Sequence, residues 1–317
     1  GSHNDQYRSS ELPLLGQKYY DVKSNPTAYS SSGFYFNWLV ENKINYNTTI
    51  KDAHSINVVL VQSAQKETYK GDNVTATDFP NDYIQTISGG TVTKGASDKT
   101  QWTIASYLAR MQYSYKGKYM ASAAIRADGS SRFAPDKRWG WFPSVSAGWS
   151  ISEEPFLKKA AGWLDMLKLR VSYGTLGNNA TSTFYMYQPL YASANYVLGN
   201  AVASGLAQTT LANPNLTWET THMTNIGLDY GLFDHRLSGS VDVFNRLTTD
   251  ILISLPAPLE HGTSAVPNQN AGKVRNRRID FDISWFDHIG SMTYSLGFHM
   301  GYVRNKVSKF QGKVPSI

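Results

Sequence analysis

The feature that most constrains this chain is the strict two-residue alternation between Ile226 and Phe244. Ile226, Leu228, Tyr230 and Leu232 alternate with Asn225, Gly227, Asp229 and Gly231. A polar break follows at Asp234-His235-Arg236, after which Leu237, Gly239, Val241 and Val243 alternate with Ser238, Ser240 and Asp242. Period two puts successive side chains on opposite faces of a strand, and two such runs around a short break predict an antiparallel hairpin. One face is apolar and the other is small, polar or charged. Such a strand either belongs to a membrane barrel, with lipid outside and water inside, or to a soluble sheet with one solvated face.

The same alternation recurs along the chain. Ala105 to Tyr115 and Tyr119 to Ala127 flank a turn at Lys116-Gly117-Lys118. Val145 to Ile151, Leu167 to Tyr173, Ile279 to Trp285 and Met292 to Tyr302 follow the same rule. Phe34 to Tyr46 and Ile56 to Gln62 read as further strands, for about ten in all. Residues 4–32 read as loop, 65–99 as a long loop with a local hairpin, 129–138 as a polar loop, and 175–214 and 251–271 as long loops. The anchor hairpin's first strand is expected to begin near Leu216. One helix is predicted after Ser152, with Ser152 as cap, Pro155 in the first turn and an apolar stripe of Phe156, Leu157, Ala160, Ala161 and Leu164. Its ordinary role is an amphipathic plug at a barrel rim. The Glu153-Glu154 pair favours its N-terminus electrostatically and is not read as a catalytic dyad.

Two observations separate the membrane reading from the soluble one. Short and long connections alternate, as they do in outer-membrane barrels, where periplasmic turns are short and extracellular loops long. Charges such as Arg110, Arg126, Asp128, Lys168, Arg170, Asp229, Asp242, Asp280 and Asp282 all fall on the non-apolar face. An Arg or Lys on the lipid face near the midplane costs about 2–4 kcal/mol, and the pattern avoids that cost. Charged residues are only 17% of the chain while aromatics reach 13%, with 20 Tyr and 8 Trp. Tyr and Trp suit a surface that is apolar at one end and wet at the other.

Other classes lose support. No run approaches the roughly 18 apolar residues of a spanning helix. There are no cysteines, hence no disulfide framework, thiolate metal site or Cys nucleophile. The seven His have no metal-ligand spacing, and His299, on the wet face, reads as a lumen hydrogen-bonder. No phosphate loop or nucleophile elbow occurs. A net charge of +6 is modest, and the Arg275-Asn276-Arg277-Arg278 cluster reads as rim or lumen charge, not a nucleic-acid site. No cofactor is expected. Gly1-Ser2-His3 reads as a tag remnant, and residues 4–317 as part of a barrel domain.

Several stretches carry more than period and composition. They are Arg126-Ala127-Asp128-Gly129-Ser130-Ser131-Arg132-Phe133; Phe142-Pro143-Ser144-Val145-Ser146-Ala147-Gly148-Trp149, running into Ile151-Ser152-Glu153-Glu154-Pro155-Phe156-Leu157; Leu167-Lys168-Leu169-Arg170-Val171-Ser172-Tyr173-Gly174 with Gly177-Asn178; Asn213-Pro214-Asn215-Leu216-Thr217-Trp218-Glu219-Thr220; and Asn270-Ala271-Gly272-Lys273-Val274-Arg275-Asn276. In this order they resemble the SusC/RagA family of TonB-dependent outer-membrane transporters of Bacteroidetes, from about residue 100 on. The resemblance implies an all-β, antiparallel, up-and-down transmembrane barrel of 22 strands occluded by an N-terminal plug, with one short periplasmic helix. It also implies import of glycans or peptides energised through TonB, and a SusD-like lipoprotein on the extracellular mouth. About ten strands cannot close such a barrel, so the chain is expected to be a central segment of it. The plug, the N-terminal extension and the TonB-contacting segment are expected to be absent, and the final strands to follow Arg304-Asn305-Lys306-Val307. Expected partners are outer-membrane lipid, the SusD-like lipoprotein, TonB, and an oligosaccharide or peptide. Candidate ligand contacts in loop or lumen are Arg126, Asp128, Arg132, Tyr185, Tyr187, Tyr191 and Tyr196; for the loop tyrosines, loop packing or lipoprotein contact is the competing role. The competing function is a soluble all-β glycan-binding module whose apolar faces pack on each other.

Overall fold

The computed structural model describes residues 2–8, 26–81, 83–84, 86–160, 162–181, 184–254 and 268–310. Their strands are β1 (Ser2–Arg8), β2 (Thr27–Ile50), β3 (His54–Thr77), β4 (Thr91–Tyr115), β5 (Tyr119–Ser130), β6 (Trp139–Ser150), β7 (Leu164–Asn178), β8 (Leu190–Leu198), β9 (Ala201–Thr210), β10 (Glu219–Leu232), β11 (Leu237–Ile253), β12 (Gln269–Ile289) and β13 (Met292–Phe310). The helix α1 (Pro155–Ala160) has six residues. Eleven strands hydrogen-bond in the order β1-β2-β3-β4-β5-β6-β7-β10-β11-β12-β13, and β8 and β9 form a separate pair. The strand pairs run antiparallel, β10 with β7 and β11 among them, and chain neighbours are sheet neighbours except where the β8–β9 hairpin intervenes.

The chain divides into two units. One comprises Gly1–Leu39 and Gln65–Thr103, the other Val40–Ala64 and Ile104–Ile317. In the first, Ala28, Ala76 and Phe79 form a small buried cluster with Ile87 against it. Glu67 accepts hydrogen bonds from Trp102 Nε1 (3.1 Å) and Asn37 Nδ2 (3.5 Å). The expected loops over 4–32 and 65–99 are therefore corrected: Ser2–Arg8 pairs with Thr27–Gly33, and strand continues to Thr77 and resumes at Thr91. A ladder of backbone hydrogen bonds does not itself require apolar alternation, so these stretches carried no periodic signal.

In the second unit, the anchor hairpin forms as read. Ile226 pairs with Val243 and Leu228 with Val241, and the turn is made by Phe233, Asp234 and His235, all at positive φ. Its first strand starts at Glu219, three residues after the expected Leu216. The other short turns use the same backbone device, with positive φ at Lys51 and Asp52, at Lys116 and Gly117, and at Gly290. The expected helix is shorter than its apolar stripe suggested. Ser152 lies in a 3-10 turn, Glu154 O accepts from Leu157 N and Lys158 N, and Pro155 opens α1. Of its stripe, Phe156 is exposed and Leu157 and Leu164 are half-buried, while the burial of Ala160 and Ala161 lies outside what is described. The 175–214 loop is also corrected. β7 runs to Asn178 and the segment holds the β8–β9 hairpin, with Tyr196 paired to Ala203. Of the predicted 251–271 loop, residues 251–253 and 269–271 are strand, and its Pro256, Pro258, Gly262 and Pro267 lie outside the described residues.

Candidate functional site

The alternating apolar residues of the second unit are not packed on one another. On β6 Trp139, Trp141, Val145 and Trp149 are exposed, while on the opposite face Phe142 is buried and Ser144, Ser146 and Gly148 are half-buried. Tyr107, Met111, Ile125, Ile226, Val243, Ile279, Phe298 and Met300 are exposed in the same way on neighbouring strands. Burying apolar area is the main stabilising term of a fold in water, so a continuous bare face of this size needs an apolar solvent. The soluble glycan-binding alternative, which required these faces to close on each other, is set aside on this ground.

Aromatic rings bound the bare band at both ends. Near the short turns, Tyr115 stacks beside Tyr119 (6.4 Å between centroids) and Tyr119 beside Trp149 (6.5 Å). At the other end Tyr107 stacks beside Trp139 (6.0 Å). Trp139 and Trp149 lie on one strand, about 33 Å apart at ~3.3 Å per residue. Tilted by about 40°, that is about 25 Å along the membrane normal, the height of the apolar band of an outer-membrane barrel.

Behind this face lies a charged one. Arg170 on β7 donates from Nε and Nη2 to both oxygens of Asp229 on β10 (2.8 and 2.7 Å), and from Nη2 to Asp242 on β11 (3.2 Å). Asn225 Nδ2 donates to the other oxygen of Asp242 (3.3 Å). Further along, Arg278 pairs with Asp280 (2.6 Å), and His299 Nδ1 lies 3.2 Å from Asp282. Every one of these residues was placed on the non-apolar face by period alone. The pairings were not legible, because they depend on register between strands far apart in sequence.

The short-turn end is anchored by Glu154. Its side chain is buried and accepts from Tyr119 Oη (2.5 Å) and Trp149 Nε1 (3.2 Å), with Lys118 Nζ 3.8 Å away. The Tyr119 and Trp149 hydrogen bonds hold the carboxyl below its ordinary range against the opposing effect of burial. Two girdle aromatics are thereby tied to the start of α1.

The stretches carrying the family resemblance converge at the long-loop end. Phe133, Phe142, Met186, Leu216 and Trp218 form one buried cluster, with Ile104 and Leu252 packed against it. Phe142 fits because Gly177 has no side chain: a Cβ there would meet its ring at 2.0 Å. Trp218 Nε1 donates to Arg138 O (2.9 Å), and Asn270 closes the cluster by donating to Thr217 O and Asp250 O and accepting from Thr217 N. These residues are spread over more than 130 positions of the chain, so no local signal could have joined them.

The predicted contact residues distribute around this end. Arg126 Nε donates to both oxygens of Asp128 (2.9 and 2.7 Å) and Nη2 to Ser106 Oγ (3.3 Å); Asp128 is buried, and both line a cavity of about 680 Å³. Arg132 stands elsewhere, donating to Asn179 O (3.2 Å) with its guanidinium 4.7 Å from the Phe184 ring centroid. Tyr185 and Tyr187 are half-buried on either side of Met186. Tyr191 and Tyr196 are exposed on β8 (59% and 68%). Among the described residues no cluster of His, Asp and Glu could hold a metal.

A bare apolar band between aromatic girdles, backed by a charged face, defines the wall of a transmembrane β-barrel of the outer membrane. The chain belongs to the family described as TonB dependent receptor-like, beta-barrel, which matches residues 2–315. It is 36% identical over 282 residues to TonB-dependent receptor P39 of Formosa agariphila, covering 86% of this chain and 26% of that one. It is 35% identical over 218 residues to TonB-dependent receptor SusC of Bacteroides thetaiotaomicron, covering 67% and 22%. Among solved structures, the RagAB peptide transporter superposes with a TM-score of 0.83 at 25% identity, covering 97% of this chain and 33% of that one. These likenesses bear out the SusC/RagA assignment. The chain spans about a quarter of its curated relatives and a third of that structure.

Proposed function

We propose that this chain forms part of the barrel of a TonB-dependent outer-membrane importer of oligosaccharides or peptides. The carrying observation is the exposed apolar band between aromatic girdles, backed by a charged face and long, structured loops. Likeness to SusC and to the RagAB peptide transporter supports an import role. In this reading a SusD-like lipoprotein covers the long-loop end, TonB supplies energy through a segment N-terminal to the barrel, and no catalytic step or nucleic acid is involved. Arg126, Asp128, Arg132, Tyr185, Tyr187, Tyr191 and Tyr196 contact cargo or lipoprotein at that end. Arg126 and Asp128 line the cavity under Phe142, and Tyr191 and Tyr196 stand exposed on the β8–β9 hairpin, which supports this role.

The test is uptake by cells. Deleting the gene is expected to abolish growth on one class of oligosaccharide or oligopeptide, with rescue only when TonB is intact. A small lipoprotein is expected to co-purify with the receptor in detergent. A receptor that stays monomeric in plain buffer, or a deletion strain with unchanged uptake of every oligosaccharide and peptide tried, would overturn the reading.

A further inference from the structure

Lys168 behaves unlike the other wet-face charges. In register it stands directly opposite Asp229, yet Asp229 gives both oxygens to Arg170, two residues along the same strand. Lys168 instead lies across the neighbouring strand: its Cε is 3.7 Å from where a Cβ on Gly148 would be, beside Met120. Among the described residues it has no ion-pair partner, whereas Arg170 is balanced by two carboxylates. Its stem enters a groove of about 520 Å³ near the short-turn end, lined chiefly by hydroxyl and amide side chains, among them Ser122, Ser146, Ser172 and Gln112.

The amides of this groove are short of donors. Asn225 Nδ2 is committed to Asp242, which fixes the flip of the amide and leaves Asn225 Oδ1 buried with nothing donating to it. Asn57 Oδ1 is in the same position, its Nδ2 being held by Asn47 Oδ1. A buried acceptor without a donor is destabilising, and an N–H supplied by a ligand relieves it. Among the described residues the one ring in the lining is Tyr113, which stacks beside His54 (6.0 Å between centroids), so the groove offers little free ring face for a sugar.

We propose that this groove is a binding site for a peptide carboxylate, an Asp or Glu side chain or a chain terminus. Lys168 pairs with the carboxylate, the serines bind it, and Asn57 and Asn225 accept from adjacent amide N–H groups. The proposal rests on the importer reading and adds a site on the barrel wall itself. The carboxylate is that of a free acidic peptide in transit.

The experiment uses the full-length receptor in detergent. Tetraglutamate is titrated against wild type and Lys168→Met, with tetragalacturonate as the non-peptide control, and a urea midpoint for each receptor checks that the variant is folded. The site predicts saturable tetraglutamate binding that weakens at least tenfold in a folded Lys168→Met. The proposal is overturned if tetraglutamate does not bind, if it binds wild type and Lys168→Met alike, or if tetragalacturonate alone binds through Lys168. Growth of the Lys168→Met strain on neutral cargo, expected to be unchanged, separates failure of this site from failure of the importer reading.

Discussion

Arg170 and Asp242 meet at 3.2 Å although a whole strand lies between them. The contact is possible because Gly227 is the register partner of both. A Cβ at 227 would come within 2.8 Å of the guanidinium carbon and 2.4 Å of Asp242 Oδ1. Gly227→Val is therefore expected to break the bridge and cost about 1–3 kcal/mol by overpacking, measured as a lower urea midpoint of the receptor in lipid vesicles. Gly297, which a Cβ would leave 3.9 Å from the nearest atom, Ser284 Oγ, is expected to tolerate Ala far better.

Val145 sits near the middle of β6 on the bare face, and Ser295 on the opposite face of β13. Val145→Arg is expected to destabilise by about 2–4 kcal/mol and Ser295→Arg by less than about 1 kcal/mol. Folding titrations into vesicles measure both. Equal costs would contradict the assignment of the two faces.

The Glu154 carboxyl is held below its ordinary range by donors from Tyr119 and Trp149. A depressed folded-state value means that its stabilisation is fully present above the ordinary carboxylate range and is lost as pH falls through the lower folded-state value. Acid titration is expected to change Trp149 fluorescence in that window, and Glu154→Gln to abolish the change.

Leu216 is fully buried in the long-loop cluster. Leu216→Ala is expected to cost about 2–5 kcal/mol. Limited proteolysis should then cut first near Phe133 or Met186, which share its cluster, with the membrane strands still protected.

Tyr191 and Tyr196 are exposed on a hairpin, so their loss should barely move stability, within about 0.5 kcal/mol. The Tyr191→Ala, Tyr196→Ala double variant is instead expected to lower uptake or lipoprotein retention at least several-fold. An unchanged uptake and an unchanged co-purification together would remove the hairpin from the contact surface.

How much was legible follows from where hydrocarbon lies. Between Trp139 and Trp149, or Ile226 and Val243, every second side chain must be apolar, so period, face and hairpin could be read residue by residue. Ser2–Arg8 and residues 65–77 answer to no such demand and looked like loop, although they are strand. The β8–β9 hairpin was hidden because its Ala, Ser and Gly residues carry little strand preference. At the long-loop end the family stretches marked important residues without saying why: Phe142, Leu216 and Trp218 prove to be one core, and Asn270 its clasp. Arg126 and Asp128 were foreseen as charges on the right face, but their mutual chelation needs coordinates.

The spacing of Trp139 and Trp149 makes the wall a ruler. Indole rings favour the headgroup zone, so the pair sets the thickness of the lipid layer that can surround this strand without strain, about 25 Å. Short-chain lipids should accept the protein readily. A sterol-rich host of plasma-membrane depth, several ångströms deeper, would have to pinch in around it, with a cost for every ångström of mismatch.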